Sequence, residues 1–129
     1  MTGYAVRRGP VPSSGGLSAV TLSSPEGVEA SFVPEAGMVG CSLTLDGVEL
    51  LGMRGGMKNY LAAAKTFGIP LLAPWGNRLG SDIYRAAGVD ATVTAVAGVH
   101  RDGNGLAIHG LMAGTRTWDV VTSADDDEA

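Results

Sequence analysis

Two short segments of the chain gather the polar groups able to hold a small molecule. Residues 68–79 read Gly-Ile-Pro-Leu-Leu-Ala-Pro-Trp-Gly-Asn-Arg-Leu, so Asn77 and Arg78 follow directly on an apolar, proline-pinned stretch bearing Trp75. Arginine supplies five donors in a planar fork, asparagine both a donor and an acceptor, and tryptophan an apolar face. That set suits the vicinal hydroxyls of a neutral sugar, where a charged hydrogen bond is worth about 1.5–3 kcal/mol. The competing reading pairs Arg78 with a carboxylate such as Asp82 and leaves Trp75 as wall or core. The second segment, residues 104–112, reads Asn-Gly-Leu-Ala-Ile-His-Gly-Leu-Met and sets His109 at the end of a short apolar run. An imidazole there either offers one nitrogen to a ligand or serves as a satisfied structural group. His100, flanked by Val99 and Arg101 in a turn-like run with Asp102-Gly103, reads as an ordinary surface residue. Cys41 lies in an apolar row with Val39, Leu43 and Leu45 and reads as a buried thiol rather than a nucleophile.

Other chemistries are excluded by inspection. No Gly-Lys pair exists for a phosphate loop, no G-x-G-x-x-G for a dinucleotide, and no Gly-x-Ser-x-Gly for a hydrolase elbow. Cys41, His100 and His109 lack the spacing of a zinc site, so no metal is expected. Nine Lys and Arg against thirteen Asp and Glu give a net charge of -4, which argues against nucleic acid and anionic membrane as partners. No apolar run approaches the 18 or so residues a bilayer span requires. Arg7 and Arg8 precede a Ser, Gly and Pro stretch where an export signal would be apolar, so the expected compartment is the cytoplasm.

The elements that must position these groups read as all-β. The chain has 129 residues, 20 of them glycine, with many short apolar runs, the pattern of one sheet-rich domain. Residues 1–26, with Pro10, Pro12 and Pro25, read as an irregular leader or an edge strand. Val28, Ala30 and Phe32 alternate with Glu29 and Ser31 as a half-buried strand. Residues 39–51 form a hairpin, because Asp46-Gly47 tolerates the two positive φ angles of a type I′ turn. Met57, Tyr60, Leu61 and Ala64 fall at helical spacing and predict one short helix near 57–65. Residues 69–79, broken by Pro70 and Pro74, predict an extended loop pinned to the core. Residues 91–97 alternate as a strand, 117–122 give a last strand containing Trp118, and 123–129 form an acidic tail.

The two polar segments, in this order, resemble the aldose 1-epimerase family, the galactose mutarotases. The likeness lies in G-x-P-L-x-x-P-W-x-N-R over residues 68–78, then hydrophobic-His-Gly-Leu over 108–111, then the Trp118 stretch. The early hairpin region, residues 29–51, is similar to the family's opening strands, and the resemblance covers residues 27–122. It implies an antiparallel β-sandwich, here incomplete, and interconversion of the α and β anomers of hexoses without metal or organic cofactor. By the same resemblance Arg78 and Asn77 bind the sugar, and His109 both contacts it and acts as a catalytic group. The partner implied is a small aldohexose.

Mutarotation needs two proton handlers, a base for the anomeric hydroxyl and an acid for the ring oxygen, each worth about 10²–10⁴ in rate. The family's second active-site histidine, in a His-x-Tyr-Phe-Asn-Leu-like segment, has no match here, and neither has its catalytic glutamate. The chain therefore resembles the N-terminal portion of an epimerase, inactive or very weak by itself. The alternative is a non-catalytic carbohydrate-binding module or a structural remnant. A sheet cut part-way also exposes an edge and an apolar face, so self-association is expected. A phosphosugar is disfavoured as substrate because the next arginine, Arg85, stands seven residues from Arg78.

Overall fold

Every paired strand in the computed structural model is antiparallel, and the chain is mostly β. The structure describes residues 3–12, 14–52, 55–63, 68–112 and 118–121. It divides into two compact units, one made of Met1–Leu71 with Gly114–Ala129, the other of Leu72–Ala113.

In the first unit a five-stranded meander runs β1 (Ala5–Pro10), β2 (Ser18–Ser23), β3 (Val28–Val33), β4 (Val39–Leu45) and β5 (Val48–Glu49), in that spatial order. The stretch expected as an irregular leader or edge strand thus supplies both the edge strand β1 and the interior strand β2. Its prolines do not prevent this. Pro10 ends β1 and Pro12 falls in the connecting loop, where no ladder N–H is needed. Ser14 closes that loop: its hydroxyl donates to the Val11 carbonyl at 2.7 Å and accepts from the Leu17 N–H at 3.0 Å. The predicted β4–β5 hairpin forms, with Asp46 at φ 49° and Gly47 at φ 78°, the two left-handed positions of its turn.

Register separates the two faces of this sheet. Leu22 pairs with Ala30 and Ala30 with Leu43 on one face, joined by Val28, Leu45 and Val48, while Thr21, Ser31 and Ser42 pair across the other. Helix α1 (Gly56–Ala63) sits on the second face. Its Met57 and Tyr60 join Ala19, Val33, Val39 and Cys41 in one buried cluster. The helix begins one residue before the predicted span, and Ala64 lies outside the described residues. Leu45 and Val48, on the first face, are 44% and 63% exposed, so that end of the apolar row is open.

The predicted extended loop begins at the sheet: Gly40 and Ile69 exchange both backbone hydrogen bonds, at 2.8 and 2.9 Å. A β-carbon on Gly40 would stand 2.7 Å from that of Ile69, so only glycine permits the approach.

The second unit holds two hairpins, β6 (Ile83–Ala86) with β7 (Val89–Thr92) and β8 (His100–Arg101) with β9 (Ala107–Ile108). Its core is Trp75, Val93 and Ala107, flanked by Leu79, Tyr84, Val99 and Leu111. The strand expected over 91–97 starts earlier and stops at Thr92. There the Thr92 hydroxyl bonds Thr94, Oγ1 to Oγ1 at 2.9 Å, and the Val96 N–H turns back to the Val93 carbonyl. This local bonding competes with a ladder and outweighs the alternating pattern. Residues 118–121 are not in a strand, contrary to expectation, while 117, 122 and the acidic tail lie outside the described residues. Among the described residues no helix is long and apolar enough to cross a membrane.

Candidate functional site

The two polar segments run antiparallel to one another. Arg78 bridges Ile108, with the His109 N–H donating to the Asn77 carbonyl at 2.6 Å and the Leu79 N–H donating to the Ala107 carbonyl at 2.9 Å. Because β9 pairs with β8 on its other side, Ile108 lies between His100 and Arg78 in a small three-segment arrangement. Further along, the Leu111 and Met112 N–H groups both donate to the Ala73 carbonyl, at 2.6 and 3.2 Å. The spacing of the second segment then has a physical reason. Gly110, at φ 67°, passes so close to Ala73 that a β-carbon would collide with that carbonyl.

Asn77 and His109 face each other across this pairing, and both have left-handed backbones, φ 46° and 67°. For an L-residue other than glycine that conformation costs about 1–2 kcal/mol, least for asparagine. Strain of this kind persists where the surroundings over-determine it, and it concentrates at functional positions. Here the surroundings are the 2.6 Å hydrogen bond and the Gly110 contact. The His109 side chain is half-buried and that of Asn77 exposed. Neither has a hydrogen-bond partner among the described residues.

Arg78 is oriented by Asp102, not by Asp82. Its Nε donates to Asp102 Oδ2 at 2.5 Å, while Asp102 Oδ1 accepts the backbone N–H groups of Asn104 at 2.9 Å and Leu106 at 3.0 Å. The Asp102 side chain is only 10% exposed and that of Arg78 44%. The carboxylate is therefore clamped by its own loop, between β8 and β9, and passes that rigidity to the guanidinium. The Leu106 N–H, with Arg78 and the Asn104 N–H, holds the Asp102 carboxyl below the usual carboxylate range. Asp82 serves Arg101 instead, in a fork of 2.8 and 2.9 Å, and that hydrogen-bonded guanidinium lowers its pKa.

Trp75 is core: it is 8% exposed, its ring centroid lies 6.3 Å from that of Tyr84 at 59°, and its buried indole N–H has no partner among the described residues. His100 is exposed, as expected. Cys41 is buried, and burial pushes its thiol pKa up, which keeps it protonated at neutral pH.

The backbone pairing sets at successive register positions a cationic fork held rigid at one nitrogen, an exposed amide and an imidazole without a hydrogen-bond partner among the described residues. Sequence reasoning found these three and missed Asp102, which it read only as part of a turn. The signal was present in Asp102-Gly103-Asn104-Gly105, an Asx-type loop whose carboxylate is fixed by backbone amides. Neither a protein-family model nor a curated protein matches this chain.

Proposed function

We propose that the second unit carries the hexose-contacting part of an aldose 1-epimerase-like site, and that the sheets belong to an antiparallel β-sandwich of the galactose mutarotase type. The observation that carries this reading is the backbone pairing that sets Asn77 and Arg78 beside Ile108 and His109, although some thirty residues separate them. With Nε committed to Asp102, Arg78 keeps its two terminal nitrogens for sugar hydroxyls, and Asn77 adds a donor and an acceptor. His109 is the proton handler, taking the proton of the anomeric hydroxyl as the ring opens. The reaction asks nothing of a metal or organic cofactor.

A second proton handler is required at the ring oxygen. The chain has two histidines, and His100 is an exposed residue of β8. Asp82 and Asp102 are each engaged by an arginine. This shortage favours sugar binding with little or no turnover, which is also what a non-catalytic carbohydrate-binding module would give. A free hexose ligand and a reduced Cys41 fit the cytoplasm.

Polarimetry on freshly dissolved α-galactose, beside calorimetric titration, tests the reading. The expected result is saturable binding with anomer equilibration close to the buffer rate. Arg78→Ala should weaken binding by about tenfold or more, the scale of one lost charged hydrogen bond, and His109→Ala should weaken it less. Absence of binding, or binding that ignores both substitutions, overturns the assignment.

A further inference from the structure

The face of the first unit's sheet that meets helix α1 is only partly apolar: Ala19, Val33, Val39 and Cys41 share it with a row of hydroxyls. The row Thr21, Ser31, Ser42 looks toward helix α1, with Thr21 only 7% exposed, whereas the row Leu22, Ala30, Leu43 looks away. Burying hydroxyls is unfavourable unless they are bonded, and folding alone is served better by apolar residues there. These hydroxyls are bonded: Thr21 and Ser31 share a hydrogen bond of 2.7 Å, and Ser42 donates to Glu49 at 2.5 Å. Over them lies a groove of about 750 Å³, walled in part by Val11, Met57 and Lys58, within the roughly 300–1,000 Å³ of small-molecule sites.

Among the described lining residues Arg7 and Lys58 stand against Glu49, and Arg7 is neutralised by Glu29 from beside the groove. Glu29 grips Arg7 in a fork of 2.6 and 3.0 Å, and Glu49 offsets Lys58. Glu49 is itself held ionised, first by the Ser42 hydroxyl and then by the N–H groups of Leu43 and Leu51. An ionic ligand would meet no net opposite charge. The hydroxyl floor, in contrast, keeps capacity in both directions. One proton of the Thr21–Ser31 pair is unspent, and Ser42 retains its acceptor lone pairs. Val11 and Met57 add an apolar side.

We propose that this groove binds an uncharged, polyhydroxylated molecule of mono- or disaccharide size, at a site separate from Arg78 and His109. The test is titration of the ¹⁵N-labelled full chain with glucose and with maltose, joined to the rate of Cys41 alkylation by iodoacetamide at alkaline pH, where the thiolate forms, since Cys41 also lines the groove. Saturable amide shifts at Thr21, Ser31 and Ser42 are expected, with slower alkylation at saturating sugar. Thr21→Val and Ser31→Ala should each weaken the titration by about threefold to tenfold, the scale of one lost hydrogen bond. Shifts confined to Asn77, Arg78 and His109 would overturn the groove and leave the proposed hexose site standing; shifts at the groove alone would do the reverse. Should both variants misfold, the native chain still decides: unchanged Cys41 alkylation at high sugar overturns the proposal.

Discussion

Asp102 restrains Arg78. A free arginine spreads its fork over many rotamers, whereas one whose Nε is fixed at 2.5 Å presents two nitrogens in one plane. Asp102→Asn should therefore lower sugar affinity by a smaller factor than Arg78→Ala, with calorimetry as the measure. The same residue sets an acid limit on stability. Its pKa is depressed on folding, so its contribution is complete above the ordinary aspartate value of about 4 and is lost as pH falls through the lower folded value. Thermal unfolding followed from pH 6 downward should show an acid limb that is shallower in Asp102→Asn. Asn77 allows backbone and side chain to be separated. Asn77→Gly relieves a left-handed φ of 46° while removing the amide, so it should hold or raise stability and still weaken sugar binding.

The elements of the second unit are short, and their mutual alignment rests on close backbone approach more than on buried area. Gly110 is the tightest such point. Gly110→Ala places a methyl group against the Ala73 carbonyl in a left-handed conformation, and should destabilise by about 1–3 kcal/mol in urea unfolding. Because the Leu111 and His109 amides flank the same contact, that variant should lose sugar binding too. The β4–β5 turn is the contrasting case. Both of its positive φ angles fall on Asp46-Gly47, so strand, turn and strand follow from one uninterrupted stretch, β4, the turn and β5. That is why it was legible, and why the strand predicted over 91–97 was not: alternation is a weak signal when Thr92 and Thr94 can bond each other.

Across the molecule the open sheet dominates the expected behaviour. In the first unit Leu22, Leu45 and Val48 are 47%, 44% and 63% exposed on one face of the sheet. An exposed apolar row of this kind recruits a second copy. Sedimentation velocity should show concentration-dependent association, and the double substitution Leu45→Lys with Val48→Lys should shift it toward monomer. A concentration-independent monomer of the unsubstituted chain contradicts this expectation.

What the amino-acid order settled alone is what neighbours settle: the period of β3, the Asp46-Gly47 turn, the stripe of α1, and the residue types at 77, 78 and 109. Each depends on contacts within a few positions, which local sterics and periodicity encode. The partner of Arg78 was decided only in three dimensions. Asp82 was nearer in sequence, yet Asp102, 24 residues away, takes the guanidinium because its loop amides have already fixed its carboxylate in place. The same holds for the row Thr21, Ser31 and Ser42 that floors the groove beside α1: which face of a sheet is covered depends on what packs over it, and no strand carries that choice in its own period.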